Sequence, residues 1–166
     1  MESGRIILKN TIEKTNVMRI LAQKKAESIP YSYASSGAVD GMDVANALHK
    51  DPHTVFKTLV TVGKSSAHYV FVIPVNKQLD LKKAADAVDE KNICMVKAKE
   101  LLPLTGYIHG GCSPVGMKHP FVTVLDQSAE KQTAVVFSGG KIGYQVEITL
   151  DELKKAIDFR LADIAF

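Results

Sequence analysis

Two apolar runs divided by a four-residue polar turn constrain this chain more than any other feature. Residues 55–62 (VFKTLVTV) and 68–75 (HYVFVIPV) are rich in β-branched and aromatic side chains and flank Gly63-Lys64-Ser65-Ser66. Such residues suit the pleated, half-buried surface of a strand, and a short glycine-containing turn between two of these runs marks a β-hairpin. The rest of the chain supplies what covers that hairpin. Val17, Ile20 and Leu21 recur at helical spacing over 15–27, with Thr15 as a cap and Pro30 beyond the end. Tyr31-Ser32-Tyr33 reads as extended, with both tyrosines on one face. Val44, Ala45 and Leu48 make an amphipathic helix of 38–49, and Asp80 caps another over 81–89.

The second half continues the alternation. A strand is expected over 93–96 and a helix over 97–102 that Pro103 stops. Further strands are expected over 121–125, 133–137 and 144–148. Thr149-Leu150-Asp151-Glu152 has the form of a capping box opening a C-terminal helix through Leu153, Ala156 and Ile157. Helices and strands intermingled around a hairpin predict an α+β (mixed α/β) fold: one domain with a central, mixed, partly antiparallel sheet flanked by helices. Residues 15–166 form that domain, and residues 1–14, without clear periodicity, are read as an N-terminal extension. At 166 residues the chain is long enough to bury a self-sufficient core.

Composition narrows the function classes. With 21 Lys plus Arg against 18 Asp plus Glu, the net charge of +3 lacks the dense basic patch that binds DNA by counterion release. No apolar stretch approaches the length that spans a bilayer, and no signal segment is evident, so a cytoplasmic protein without a membrane partner is expected. Two cysteines, Cys94 and Cys112, suit reduced thiols rather than a disulfide framework. The five histidines form no metal-ligand pair and the cysteines no CxxC, so neither a metal nor another cofactor is expected.

Three places break the local rules. Lys57 puts a charge inside the most apolar strand; its ordinary reading is a lysine snorkelling from an edge strand, its alternative an ammonium reaching into a polar pocket. His109-Gly110-Gly111-Cys112-Ser113-Pro114-Val115-Gly116 holds three glycines within eight residues, a pattern that serves tight turns and also lets backbone amides approach an oxyanion. Ser138-Gly139-Gly140-Lys141-Ile142-Gly143 follows a strand like a phosphate loop, but it precedes another strand and has neither the P-loop nor the dinucleotide spacing. Cys112 beside His109 is read first as a small buried thiol filling a turn.

These segments, taken with Lys14-Thr15-Asn16-Val17-Met18-Arg19, Val55-Phe56-Lys57-Thr58-Leu59 and Gln78-Leu79-Asp80-Leu81-Lys82-Lys83, resemble the YbaK/EbsC family. These are free-standing aminoacyl-tRNA deacylases similar to the editing domain inserted in bacterial prolyl-tRNA synthetase. The resemblance covers roughly residues 14–160, in order. It implies removal of cysteine wrongly attached to tRNA(Pro), and also from tRNA(Cys), at the aminoacylated end of a tRNA. It further implies delivery of the substrate by prolyl-tRNA synthetase. In the family the essential lysine follows Val-Phe or Val-Tyr on a strand, here Lys57; Tyr33, Thr58, Gly110, Gly111 and Ser138 are the matching substrate-binding positions. The chain departs from the cysteine-specific pattern in carrying Gln145 where an Asp is common and Ile142 where an Arg is common, so no carboxylate role carries over. A deacylase for another mischarged amino acid such as alanine, and a non-catalytic domain binding the acceptor end or the synthetase, are the competing expectations.

Overall fold

A computed structural model describes residues 13–166, and the expectation of an N-terminal extension over 1–14 falls almost wholly outside the described residues. The hairpin is the centre of the molecule. Strand β2 (Phe56–Gly63) pairs antiparallel with β3 (His68–Pro74), placing Lys57 opposite Ile73 and Leu59 opposite Phe71. The turn closes through Gly63 N–H to Ala67 O and Ser66 N–H to Gly63 O. Around it stand α1 (Asn16–Gln23), β1 (Ile29–Ser32), α2 (Gly41–Ala47), α3 (Leu81–Ala87), β4 (Ile93–Met95), α4 (Ala98–Thr105), β5 (Val122–Asp126), β6 (Val135–Ser138), β7 (Tyr144–Ile148), the single turn α5 (Leu150–Leu153) and β8 (Arg160–Ala162).

The strands divide between two sheets. One runs β4-β2-β3-β5-β8, antiparallel on the β4 side and parallel from β3 to β8; the other is the antiparallel set β1-β7-β6. A single parallel bridge, Val55 to Val136, joins them, with Val136 N–H donating to Thr54 O. Each sheet face has its own cover. Helix α3 sets Ala84 and Ala85 on Phe71, Ile73 and Val124, whereas α1 sets Val17 and Leu21 in the cluster of Phe137, Val146 and Leu153. Helix α2 packs Val44 and Ala45 with Tyr31, Tyr33, Val55 and Val136, over the junction of the two sheets. The α+β class is as expected, though the strands form two sheets rather than one.

The predicted caps hold. Thr15 Oγ1 accepts from Met18 N–H at 3.2 Å, and Asp80 accepts from the N–H groups of Lys82 and Lys83. Three expectations need correction. Helix α4 runs through Pro103 to Thr105, because Pro103 forfeits only one backbone bond on an exposed face while Leu101 remains buried. It stops instead at Gly106, whose positive φ of 83° suits a glycine cap. Thr149 caps α5 as expected, accepting from Glu152 N–H, but the Glu152 carboxylate accepts from Glu27 N–H at 2.8 Å rather than folding back on the cap. The helix therefore ends after one turn, and the chain continues into β8, a strand the sequence pattern did not announce.

Buried Asp126 anchors that C-terminal return. One carboxylate oxygen accepts from Ile164 N–H at 3.2 Å and the other from Ser128 N–H at 3.2 Å. Replacing Asp126 by Ala should lower unfolding free energy by about 1–3 kcal/mol, because Ile164 N–H would be left buried without an acceptor. Asp126→Asn, which keeps one acceptor oxygen, should lose less; urea unfolding of both variants checks the order. At the other end of the hairpin, Glu90 accepts from Ser65 N–H, Ser65 Oγ and Tyr69 OH, and these bonds hold its carboxyl below the ordinary glutamate range. That support is complete above the unfolded glutamate value and is lost as pH falls through the lower folded one. Amide exchange at Ser65 should accelerate over that acidic interval, and Glu90→Gln should remove the pH dependence.

Candidate active site

The backbone pattern of β2 creates the site. Val75 N–H donates to Val55 O and Gly63 N–H to Ala67 O, so the odd-numbered residues of β2 bond toward β3. The even-numbered residues turn their N–H and C=O groups to the opposite edge. Strand β4 covers that edge only at Thr61–Gly63, and β6 meets it only at Val55. Val96 N–H reaches Val60 O, which leaves the edge at Thr58 without a strand neighbour. This fork between the two sheets opens into a cavity of about 550 Å³.

Five of the six candidate residues line it: Tyr33, Lys57, Thr58, Gly110 and Ser138. Of the two tyrosines on β1 and its extension, Tyr31 serves the scaffold, its hydroxyl donating to Glu147 at 2.6 Å. Gly111 is not on the wall. It is buried behind the loop, where a Cβ would stand 3.3 Å from Ile142 N and 3.4 Å from Lys141 Cα, so its part is to let two loops approach. Gly110 has a φ of 88°, a conformation that a side chain disfavours, and a Cβ there would press on Val39. A second cavity, of about 640 Å³, lies between segments 114–123 and 156–160 and contains none of the candidates.

Electrostatics separate the groups that can act from those that cannot. The Lys57 ammonium has no ion pair or hydrogen bond among the described residues. Burial pulls its pKa below the ordinary lysine value, and the nearby Asp40 carboxylate partly opposes the shift. The Cys112 thiol is pushed up to about 12 by burial, with only partial relief from Thr105, so it stays protonated and unreactive although it touches the cavity. The glycine loops offer fewer amides than their composition suggests. Gly111 N–H is committed to Ile108 O, Gly139 N–H to Tyr144 O and Gly140 N–H to Ser138 Oγ; of these four glycines, only Gly110 has an amide without an acceptor among the described residues.

Two oxygens on the cavity wall, Thr58 Oγ1 and Gln145 Oε1, are buried with no hydrogen-bond partner. Such groups are rare in a folded chain and mark a place where a polar ligand fits. Asp40, Val39, Met42, Met95 and Val96 complete the wall and were not singled out from the sequence. Asp40 was legible only as the start of a helix, which it caps through Met42 N–H and Asp43 N–H. Nothing in the local pattern placed it near Lys57. Among the described residues no cluster of His, Cys, Asp and Glu could hold a metal ion, and no helix is long and apolar enough to cross a membrane.

Comparison with known proteins agrees with this geometry. A curated relative from Enterococcus faecalis, provisionally named Cys-tRNA(Pro)/Cys-tRNA(Cys) deacylase EbsC, is 41% identical over 157 residues, covering 94% of this chain and 96% of that protein. Two crystal structures share the fold. The hypothetical protein APE2540 superposes with a TM-score of 0.83 at 23% identity, over 93% of this chain and 100% of its own. A protein provisionally described as a trans-editing enzyme for prolyl-tRNA synthetase superposes with a TM-score of 0.80 at 24% identity, over 93% and 99%. Residues 37–156, which carry the whole β2–β3 hairpin and both glycine loops, match the aminoacyl-tRNA editing domain, and with the relative's near-complete coverage this shows that the chain belongs to that family.

Proposed function

We propose that this chain is a trans-editing deacylase that releases cysteine wrongly attached to tRNA(Pro), and also acts on Cys-tRNA(Cys). The observation that carries the reading is an ammonium without a protein partner, Lys57, beside the uncovered β2 edge at Thr58 in a largely apolar cavity. An aminoacyl ester is already activated, so its cleavage needs positioning and a home for the negative charge that develops on the carbonyl oxygen. Lys57 Nζ and the N–H groups of Thr58 and Gly110 are the available donors. They act in a site from which Val39, Val55, Val75 and Leu101 exclude water. The cavity volume falls in the usual range for a small-molecule site.

The nucleophile comes from the substrate. Cys112 is held protonated, so the thiol of the esterified cysteine attacks its own carbonyl carbon. The new S–C bond forms a thiolactone, the ester C–O bond breaks, and the thiol proton ends on the departing ribose oxygen. Selection then rests on reactivity, since alanine and proline carry no thiol. A pocket alone would separate amino acids differing by one methylene by only about 1–3 kcal/mol. With a net charge of +3 the chain has little means to read the body of the tRNA, which suits substrate delivery by prolyl-tRNA synthetase in the cytoplasm.

Lys57→Ala should reduce single-turnover deacylation of Cys-tRNA(Pro) by at least about 100-fold, the scale of losing one oxyanion donor. Its fold should be intact: a cation in a partly dry site costs stability at neutral pH, so Lys57→Met should melt no lower than the wild type. Undiminished activity in either variant sinks the assignment. The lysine acts while protonated, and its lowered pKa means that its contribution falls away at a pH below the ordinary lysine range. The alkaline limb of the background-corrected rate profile should move up, or vanish, in Lys57→Arg, whose guanidinium does not titrate. Release of alanine from Ala-tRNA(Pro), measured with and without the synthetase, would show that water can attack and would exclude the thiol route as the sole mechanism.

A further inference from the structure

We infer that Gln145 reads the α-amino group of the esterified amino acid; the inference rests on the deacylase reading above. Gln145 sits in the middle of β7, opposite Ser138 on β6 and Tyr31 on β1, so strands on both sides hold it in place. Its side chain is 6% exposed, lines the cavity, and presents a buried Oε1 to which no group of the described chain donates. Folding alone gives no reason to keep such an oxygen, because Leu or Met would fill the same volume without burying an unpaired acceptor. An orphan acceptor facing a ligand cavity calls for a donor on the ligand.

An aminoacyl ester brings three kinds of donor: the α-ammonium, the thiol and the ribose 2′-hydroxyl. The ammonium is the strongest match, being charged and carrying three N–H bonds. The thiol is a weak donor and has to surrender its proton to attack. The arrangement also orients the ester. Lys57 stands on β2 and Gln145 on β7, strands of different sheets, so the carbonyl oxygen is drawn to the lysine wall and the ammonium, repelled by Lys57, to the amide wall. Ser138 Oγ, which already accepts from Gly140 N–H at 3.0 Å, keeps its own hydrogen to donate beside it.

The test compares wild type, Gln145→Leu and Gln145→Glu on Cys-tRNA(Pro) and on 3-mercaptopropionyl-tRNA(Pro), which has the same thiol and ester but no amino group. In Gln145→Leu the preference in kcat/KM for the cysteinyl over the deamino ester should collapse about 10- to 100-fold, mainly through KM, the range expected for one hydrogen bond to a charged group. Gln145→Glu, which keeps an acceptor oxygen, should retain most of the preference. The melting temperature of Gln145→Leu should equal or exceed that of the wild type. An equal loss on both esters, or no loss on Cys-tRNA(Pro), overturns the role of Gln145 while leaving the deacylase reading in place. A wild type that fails to release cysteine from Cys-tRNA(Pro) overturns that reading, and this inference with it.

Discussion

The uncovered edge of β2 is the constraint on which the rest of this molecule depends. A strand in the middle of a sheet spends its backbone groups on two neighbours, yet β2 has a continuous partner on the β3 side only. On the other side β4 takes its last three residues, and the bridge at Val55 ties the second sheet to its beginning. The strands on that side diverge because β4 and β6 belong to different sheets. A bare strand edge exposed to solvent invites pairing with another chain, and proteins ordinarily cover it. Here it is enclosed instead, by α2, α4 and the glycine loops, and becomes the wall of a cavity.

Enclosure explains the unusual chemistry of the wall. Lys57 is part of a strand whose opposite residue is the fully buried Ile73, and it is desolvated for that reason. Thr58 Oγ1 and Gln145 Oε1 lie where the sheet offers no donor. Each arrangement is unfavourable for folding considered alone, and all three face the same volume. The cysteine in that volume is held inert by the same dryness that keeps the lysine poised. Burial thus supplies both halves of the functional logic: it prevents the protein from offering a thiol, and it strengthens every charge and dipole aimed at a bound ester.

Local pattern was informative wherever one interaction decided the outcome. The hairpin, the caps at Thr15, Asp80 and Thr149, and the span of β7 were legible because each depends on a few neighbouring residues. It misled where a distant partner intervened. Glu152 is drawn away from its capping box by Glu27, 125 positions earlier, and β8 exists because β5 offers it a parallel edge. Pro103 was read as a stop, but the burial of Leu101 and the glycine cap at Gly106 outweighed one lost backbone bond. In the site, Lys57 stood out as a charge among apolar residues and the glycine loops as punctuation. Asp40 and Met95 carried no comparable signal, since their positions relative to Lys57 exist only once the sheets meet.

By itself, then, the sequence determined the local elements, the α+β class and, through the joint pattern around Lys57 and the two glycine loops, the family. Periodicity, turn chemistry and capping act over a few residues, and a one-dimensional pattern records them. Only the tertiary structure decided that the strands split into two sheets, that the split leaves Thr58 uncovered, and that Gln145 faces it with an unpaired oxygen. It also decided that Gly111 supports a loop contact and that most of the glycine amides are already spent. Those are properties of burial and of long-range hydrogen-bond partners, which depend on where separate segments meet in space and leave no mark on any one of them.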